Sequence, residues 1–294
     1  MPVAAPVPGV DWIGLYLEED LGTVGVDLAA RDITSAPIFL PTHRSRARLV
    51  ARERAYLSGA AHAQEVFRRL GVASPKCMND GQWVEAGAEI LLLDGPTRGI
   101  LAAERTALNL VARMSGIATA TQELARRLDE AGLPAKVAGT RKTTPGFRFF
   151  EKEALRTGGG EAHRMGLFDE AMVKDNHREA CGGDVAAAVR KVKAANPGKT
   201  VTCEVESLKD AQAAAKAGAH WLLIDNQDPA TAKRWAEAVW KVWPQVKVEV
   251  SGGITPTNLL DYGWAHRISM GWLTQKVPAK DFSLEWVENL EAKE

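Results

Sequence analysis

The sequence predicts an α/β protein whose C-terminal half carries six parallel strands, open or closed into a barrel. Three observations predict it. From Ala135 onward, short apolar runs alternate with amphipathic helical stretches, as repeated strand–helix units around a parallel sheet require. The first hundred residues differ in texture, mixing strands with one or two helices, so a separate N-terminal layer is expected. Charged residues and glycines gather at the C-terminal ends of the expected strands, the face at which α/β barrels bind ligands.

Each element has its own signal. Residues 46–57 alternate loosely and read as a strand, and residues 60–70 (AAHAQEVFRRL) have helical periodicity that stops at Gly71. Residues 82–93 read as short strands broken at 85–87. A long helix is expected over 102–131, weakened at Ser115 and Gly116 and ended by Gly132 and Pro134. Strands then follow at 135–139, 171–174, 201–205, 221–225, 246–250 and 268–270, with helices at 184–195, 208–217, 229–243 and 256–262. No low-complexity linker separates the halves, so the domain boundary is expected near the long helix.

Composition narrows the function classes. The 294 residues include 37 basic and 37 acidic side chains, so the formal net charge is zero. A protein that binds nucleic acid by neutralising phosphates would carry a basic surplus. Small anionic ligands need only a local cluster of cations. Cys77, Cys181 and Cys203 form no CxxC or Cys/His pattern and read as free thiols in a reducing compartment. The first residues lack the basic and apolar regions of a signal peptide, and no run approaches the ~20 apolar residues of a membrane helix. A cytoplasmic protein is expected.

Position is the informative fact. After the first barrel strand come Thr140, Arg141 and Lys142; near the ends of the next three stand Lys174, Glu204 and Asp225. Ser251, Gly252 and Gly253 follow the fifth, and Gly271 follows the sixth. Glycines between a strand and a helix let backbone N–H groups approach a phosphate, and a helix beginning at Thr255 and Pro256 would favour the anion further. Taken singly, each piece has a plain alternative. Arg141 and Lys142 fit a solvated loop, His163 and Arg164 a surface turn, and Glu204 burial beside a partner in a sheet. Trp235, Trp240 and Trp243 share one helical stretch and read as packing, while His43, His62, His220 and His266 have no ligand spacing.

Read together, the segments ERTALN (104–109), SGIAT (115–119), TRKTTPG (140–146), EK (151–152), GGG (158–160), HRMGL (163–167), KDNH (174–177), EVE (204–206), AGA (217–219), IDN (224–226) and VSGG (250–253) resemble the quinolinate phosphoribosyltransferase family. The resemblance runs in order from about residue 100 to 275 and extends weakly to Glu19–Gly22 and Asp32–Thr34. It implies an N-terminal α/β sandwich, residues 1–115, joined by the C-terminal segment 276–294. A six-stranded α/β barrel would occupy 116–275. It implies transfer of phosphoribose from phosphoribosyl pyrophosphate to quinolinate with loss of carbon dioxide, giving nicotinate mononucleotide for NAD biosynthesis. Dimers or larger homo-oligomers with shared sites are implied, with magnesium as cofactor.

The resemblance also implies roles. Arg105, from the neighbouring subunit, joins Arg141, His163 and Arg164 on the two carboxylates. Thr140 lies beside them. Lys142 and Lys174 face a carboxylate or the pyrophosphate, Glu204 and Asp225 the ribose and the magnesium-bound substrate, and Ser251, Gly252, Gly253 and Gly271 the 5′-phosphate. Three departures stand out: Gly139 where many relatives have Asp, Gln275 where many have His, and extra sequence around 23–31. The alternatives are a same-fold enzyme for another heterocycle and a catalytically silent pyridine-nucleotide binder.

Overall fold

The computed structural model describes residues 10–22 and 28–290, which fall into two units. Unit 1 takes the described residues up to Ala120, then Pro145–Gly158, then those from Val277; unit 2 takes Thr121–Thr144 and Gly159–Lys276. Part of the extra sequence noted above, residues 23–27, lies outside the described residues.

Unit 1 runs through α1 (Trp12–Leu21), α2 (Ser35–Ile38), β1 (Arg44–Ala51), β2 (Ala55–Tyr56), α3 (Ala60–Arg69), β3 (Ala73–Cys77), β4 (Trp83–Val84), β5 (Glu89–Pro96) and the start of α4 (Thr97–Glu130). In unit 2 follow β6 (Lys136–Ala138) and, after α5 (Arg148–Thr157) has returned to unit 1, β7 (Ala171–Val173), α6 (Asp175–Ala180), α7 (Val185–Ala195), β8 (Val201–Val205), α8 (Leu208–Lys216), β9 (Trp221–Asp225), α9 (Pro229–Trp240), β10 (Lys247–Ser251), β11 (Arg267–Ser269) and α10 (Trp272–Gln275). β12 (Phe282–Leu290) closes unit 1.

The unit 1 sheet has the order β12-β1-β5-β3 and is antiparallel throughout. β1 shows why it forms. Ala47, Leu49 and Ala51 share a buried face, while Arg44, Arg46 and Arg48 point outward to Asp94, Glu288 and Glu285. The buried face drives the fold, since exposed ion pairs contribute only about 0–1 kcal/mol each. The strand expected over 46–57 is broken after Ala51, and Ala55–Tyr56 pairs with β4 instead.

The long helix is unbroken where a weak point was expected. A Cβ at Gly116 would lie 2.2 Å from the Pro278 carbonyl oxygen, so glycine serves close backbone approach here rather than a break. Residues 116–120 and 145–158 join unit 1, whereas the sequence reading puts them in the barrel domain. Contacts account for it. Glu151 of α5 pairs with Arg113 of α4 at 2.7 Å, and Glu153 meets His62 of α3 at 3.0 Å.

In unit 2 the order is β6-β11-β10-β9-β8-β7, all parallel. The first strand in sequence pairs with the last, and the second stands at the far end of the order, which is the circular strand order of a six-stranded barrel read from β6 round to β7. Each expected strand is present with ends within two residues, and β8 and β9 coincide with expectation. Two helices differ. The one expected over 229–243 stops at Trp240, and 256–262 holds turns with a 3-10 segment at Leu259–Tyr262. Strand periodicity sets the interior: Ser251 and Glu249 share one face of β10, Asp225 and Leu223 one face of β9, Lys174 and Met172 one face of the β7 segment.

Candidate active site

At the C-terminal ends of these strands unit 2 opens a cavity of about 490 Å³. Thr140, Arg141, Lys142, His163, Arg164, Lys174, Glu204, Asp225, Ser251, Gly252, Gly253 and Gly271 all line it. Arg105 does not. It is exposed on α4 in unit 1 and lines a different cavity, of about 340 Å³, with Tyr16, Glu19, Asp20 and Phe147.

Two arginines give the mouth its character. Arg164 is buried to 6% exposure, yet its guanidinium meets only the Glu170 carbonyl at 3.3 Å and the Met172 sulfur at 3.4 Å. Among the described residues, neither Arg164 nor Arg141 forms an ion pair with a carboxylate. Burial, and then the neighbouring charge of Arg141, hold the Arg164 guanidinium below its ordinary pKa. A buried cation without a bonded carboxylate is costly, and an anionic ligand would offset that cost.

The lining also carries carboxylates. Glu204 is buried at the end of β8 and accepts from Lys174 Nζ at 2.7 Å. Asp225 ends β9 and accepts from Asn226 Nδ2 at 2.6 Å. Beside them the loop after β10 turns through Gly252 (φ 87°) and Gly253 (φ 61°). A Cβ at Gly252 would come within 2.2 Å of Asn226 Oδ1, whereas nothing stands within 4 Å of one at Gly253. The space beside the Gly253 Cα is thus open to the cavity that the residue lines. No α-helix begins at Thr255–Pro256, so the expected helix-dipole contribution is absent; any anion there rests on loop N–H groups. Lys142 is anchored through its backbone, its carbonyl accepting from Thr274 Oγ1 at 2.6 Å. A Cβ at Gly271 would meet Lys142 Cδ and Gln275 Oε1, each at 3.1 Å.

Glu249 is the residue that sequence reading missed. It is fully buried, lines the floor of the mouth, and accepts from His163 Nε2 at 3.1 Å, Arg267 Nη1 at 3.2 Å and the Ser269 hydroxyl. Burial pushes its carboxyl up, but the hydrogen bond from His163, the charge of Arg267 and the Ser269 hydroxyl outweigh that and hold it below the ordinary value. Among the described residues no group of three or more His, Cys, Asp or Glu side chains could hold a metal alone. No helix there is long and apolar enough to cross a membrane.

Comparison with known proteins gives a consistent picture. The family model for the quinolinate phosphoribosyl transferase C-terminal domain matches residues 117–285, and that for the N-terminal domain matches 32–115. A probable carboxylating nicotinate-nucleotide pyrophosphorylase from Methanothermobacter thermautotrophicus is 39% identical over 267 residues, covering 89% of this chain and 95% of the relative. The human carboxylating nicotinate-nucleotide pyrophosphorylase is 42% identical over 244 residues, 82% of each chain. The solved nicotinate-nucleotide pyrophosphorylase from Francisella tularensis superposes with a TM-score of 0.83 at 33% identity, over 94% of both chains.

Proposed function

The chain belongs to the quinolinate phosphoribosyltransferase family, and on that premise we propose that the mouth of unit 2 joins quinolinate to phosphoribosyl pyrophosphate, releasing pyrophosphate and carbon dioxide and leaving nicotinate mononucleotide. One observation carries the reading: two arginines without carboxylate partners face the same cavity as a carboxylate pair and a glycine loop.

Quinolinate carries adjacent carboxylates, and a guanidinium meets each through two parallel charge-assisted hydrogen bonds. Arg141 and Arg164 are the side chains for this, with Thr140 at the same edge. Glu204 and Asp225 flank the ribose. As the bond from the sugar carbon to pyrophosphate breaks, positive charge grows on the ring, and fixed carboxylates stabilise it. Lys142 and Lys174 neutralise the departing pyrophosphate, while Ser251, Gly252, Gly253 and Gly271 receive the 5′-phosphate.

The ring nitrogen of quinolinate forms the new bond to the sugar carbon. The resulting pyridinium accepts the electron pair released when the adjacent carboxylate leaves as carbon dioxide, and a proton replaces it. Orientation is most of what the protein must supply to that step. Glu204 and Asp225 suit magnesium held mainly by substrate phosphates, because two carboxylates complete a shell that phosphates and water begin. Magnesium bound this way supplies charge neutralisation to the leaving group.

Arg105, exposed on α4, is assigned to the site of a second copy in a homodimer. The three free thiols fit a reducing, cytoplasmic setting. The test is direct. Purified protein with magnesium, phosphoribosyl pyrophosphate and quinolinate should release carbon dioxide and form nicotinate mononucleotide, with little turnover of nicotinate. A folded protein that turns over nicotinate instead, or neither, would overturn the reading.

A further inference from the structure

We propose that Glu249 is a positioning residue that locks the His163 ring and, through it, aims Arg164 into the mouth. The inference rests on the reading that Arg164 holds a quinolinate carboxylate.

The chain of contacts is short. Glu249 sits at the middle of β10, one layer below Ser251 on the same face. It takes the Nε2 proton of His163 at 3.1 Å. The other ring nitrogen is also occupied, since Nδ1 accepts from the backbone N–H of Arg164 at 2.6 Å. The Glu170 carboxylate lies 3.9 Å from Nδ1, beyond hydrogen-bond reach, and does not compete for it. With Nδ1 accepting, the ring carries its proton on Nε2. Both ring nitrogens are engaged within the protein, and the imidazole is only 5% exposed.

Backbone geometry explains why a lock is needed. His163 has φ 55°, a left-handed conformation that non-glycine residues seldom adopt. That turn sets the direction in which Arg164 leaves the chain. Its N–H is tied to the ring, the ring to Glu249, and Glu249 to the barrel wall. The carboxylate stays ionised because Arg267 and Ser269 share it. Arg267 has a second partner, Glu161 at 2.8 Å, and its guanidinium lies over Trp221 at 4.0 Å. Loss of charge at Glu249 therefore leaves Arg267 paired. In a glutamine variant, the amide NH2 would face donors, and the His163 ring would lose its fixed orientation.

Two measurements test this. In Glu249→Gln, confirmed as folded by circular dichroism, KM for quinolinate should rise roughly 10- to 100-fold. KM for phosphoribosyl pyrophosphate should stay within about twofold and kcat within about threefold. Equal rises in both Michaelis constants, or a fall in kcat alone, would overturn the proposal. The second measurement needs no variant. With 15N-labelled histidine, His163 should show the Nε2–H tautomer in the free enzyme and keep it when saturated with quinolinate. An imidazolium, or a move of the proton to Nδ1 on binding, would overturn the proposal even if Glu249→Gln fails to fold. Wild-type turnover of quinolinate separately tests the functional reading, so the two failures are distinguishable.

Discussion

Arg164 keeps 6% of its surface and bonds only to a carbonyl and a thioether, so its charge is directed at whatever fills the mouth. A charge-assisted hydrogen bond contributes about 1.5–3 kcal/mol, so Arg164→Ala should raise KM for quinolinate roughly 10- to 100-fold. The fold should survive, because no ion pair is broken. Unchanged quinolinate kinetics would remove Arg164 from the site. Glu249 gives a pH prediction. Its carboxyl is depressed on folding, so its contribution is complete above the unfolded value near 4.5 and is lost as pH falls through the lower folded value. Thermal melts of Glu249→Gln should therefore show a shallower loss between pH 5 and 3 than wild type; superimposable acid profiles would contradict this. Mouth residues at strand ends were legible in sequence, because a charge or glycine after an apolar run marks where a strand stops. Glu249 was not. In KVEVS it alternates with valine as a solvent-facing strand residue would, and only barrel closure turns that face inward.

Among the elements, β8 and β9 could be read to the residue because both are short apolar runs between helical stretches. β12 was not read. Its partner is β1, more than 230 residues earlier, and pairing at that distance leaves no local signal. α5 was missed because its first turn follows the turn-forming Pro145 and Gly146, and two of its buried residues, Glu151 and Lys152, are charged. That burial can be tested. Glu151 has no exposed surface and joins α5 to α4 through Arg113, so Glu151→Ala should cost about 3 kcal/mol in urea unfolding. A cost under about 1 kcal/mol would place the anchoring of α5 in its aromatic contacts instead. Gly116 was legible only as a weak point in a helix, because the chain segment that approaches it arrives from Pro278.

For the molecule as a whole, the claim is that one mouth holds a small diacid beside a sugar phosphate and that Arg105 serves a second copy. Arg105→Ala and Lys174→Ala should each be nearly inactive, yet a randomly reassembled mixture should recover roughly a quarter of the sites, as a two-fold dimer with shared sites requires. No recovery would confine Arg105 to its own subunit. The most direct measurement is a crystal structure of the protein with quinolinate. The predicted result is one quinolinate in the unit 2 mouth, its two carboxylates about 2.7–2.9 Å from guanidinium nitrogens of Arg141 and Arg164. Quinolinate bound elsewhere, or in the mouth without touching either arginine, would contradict the account.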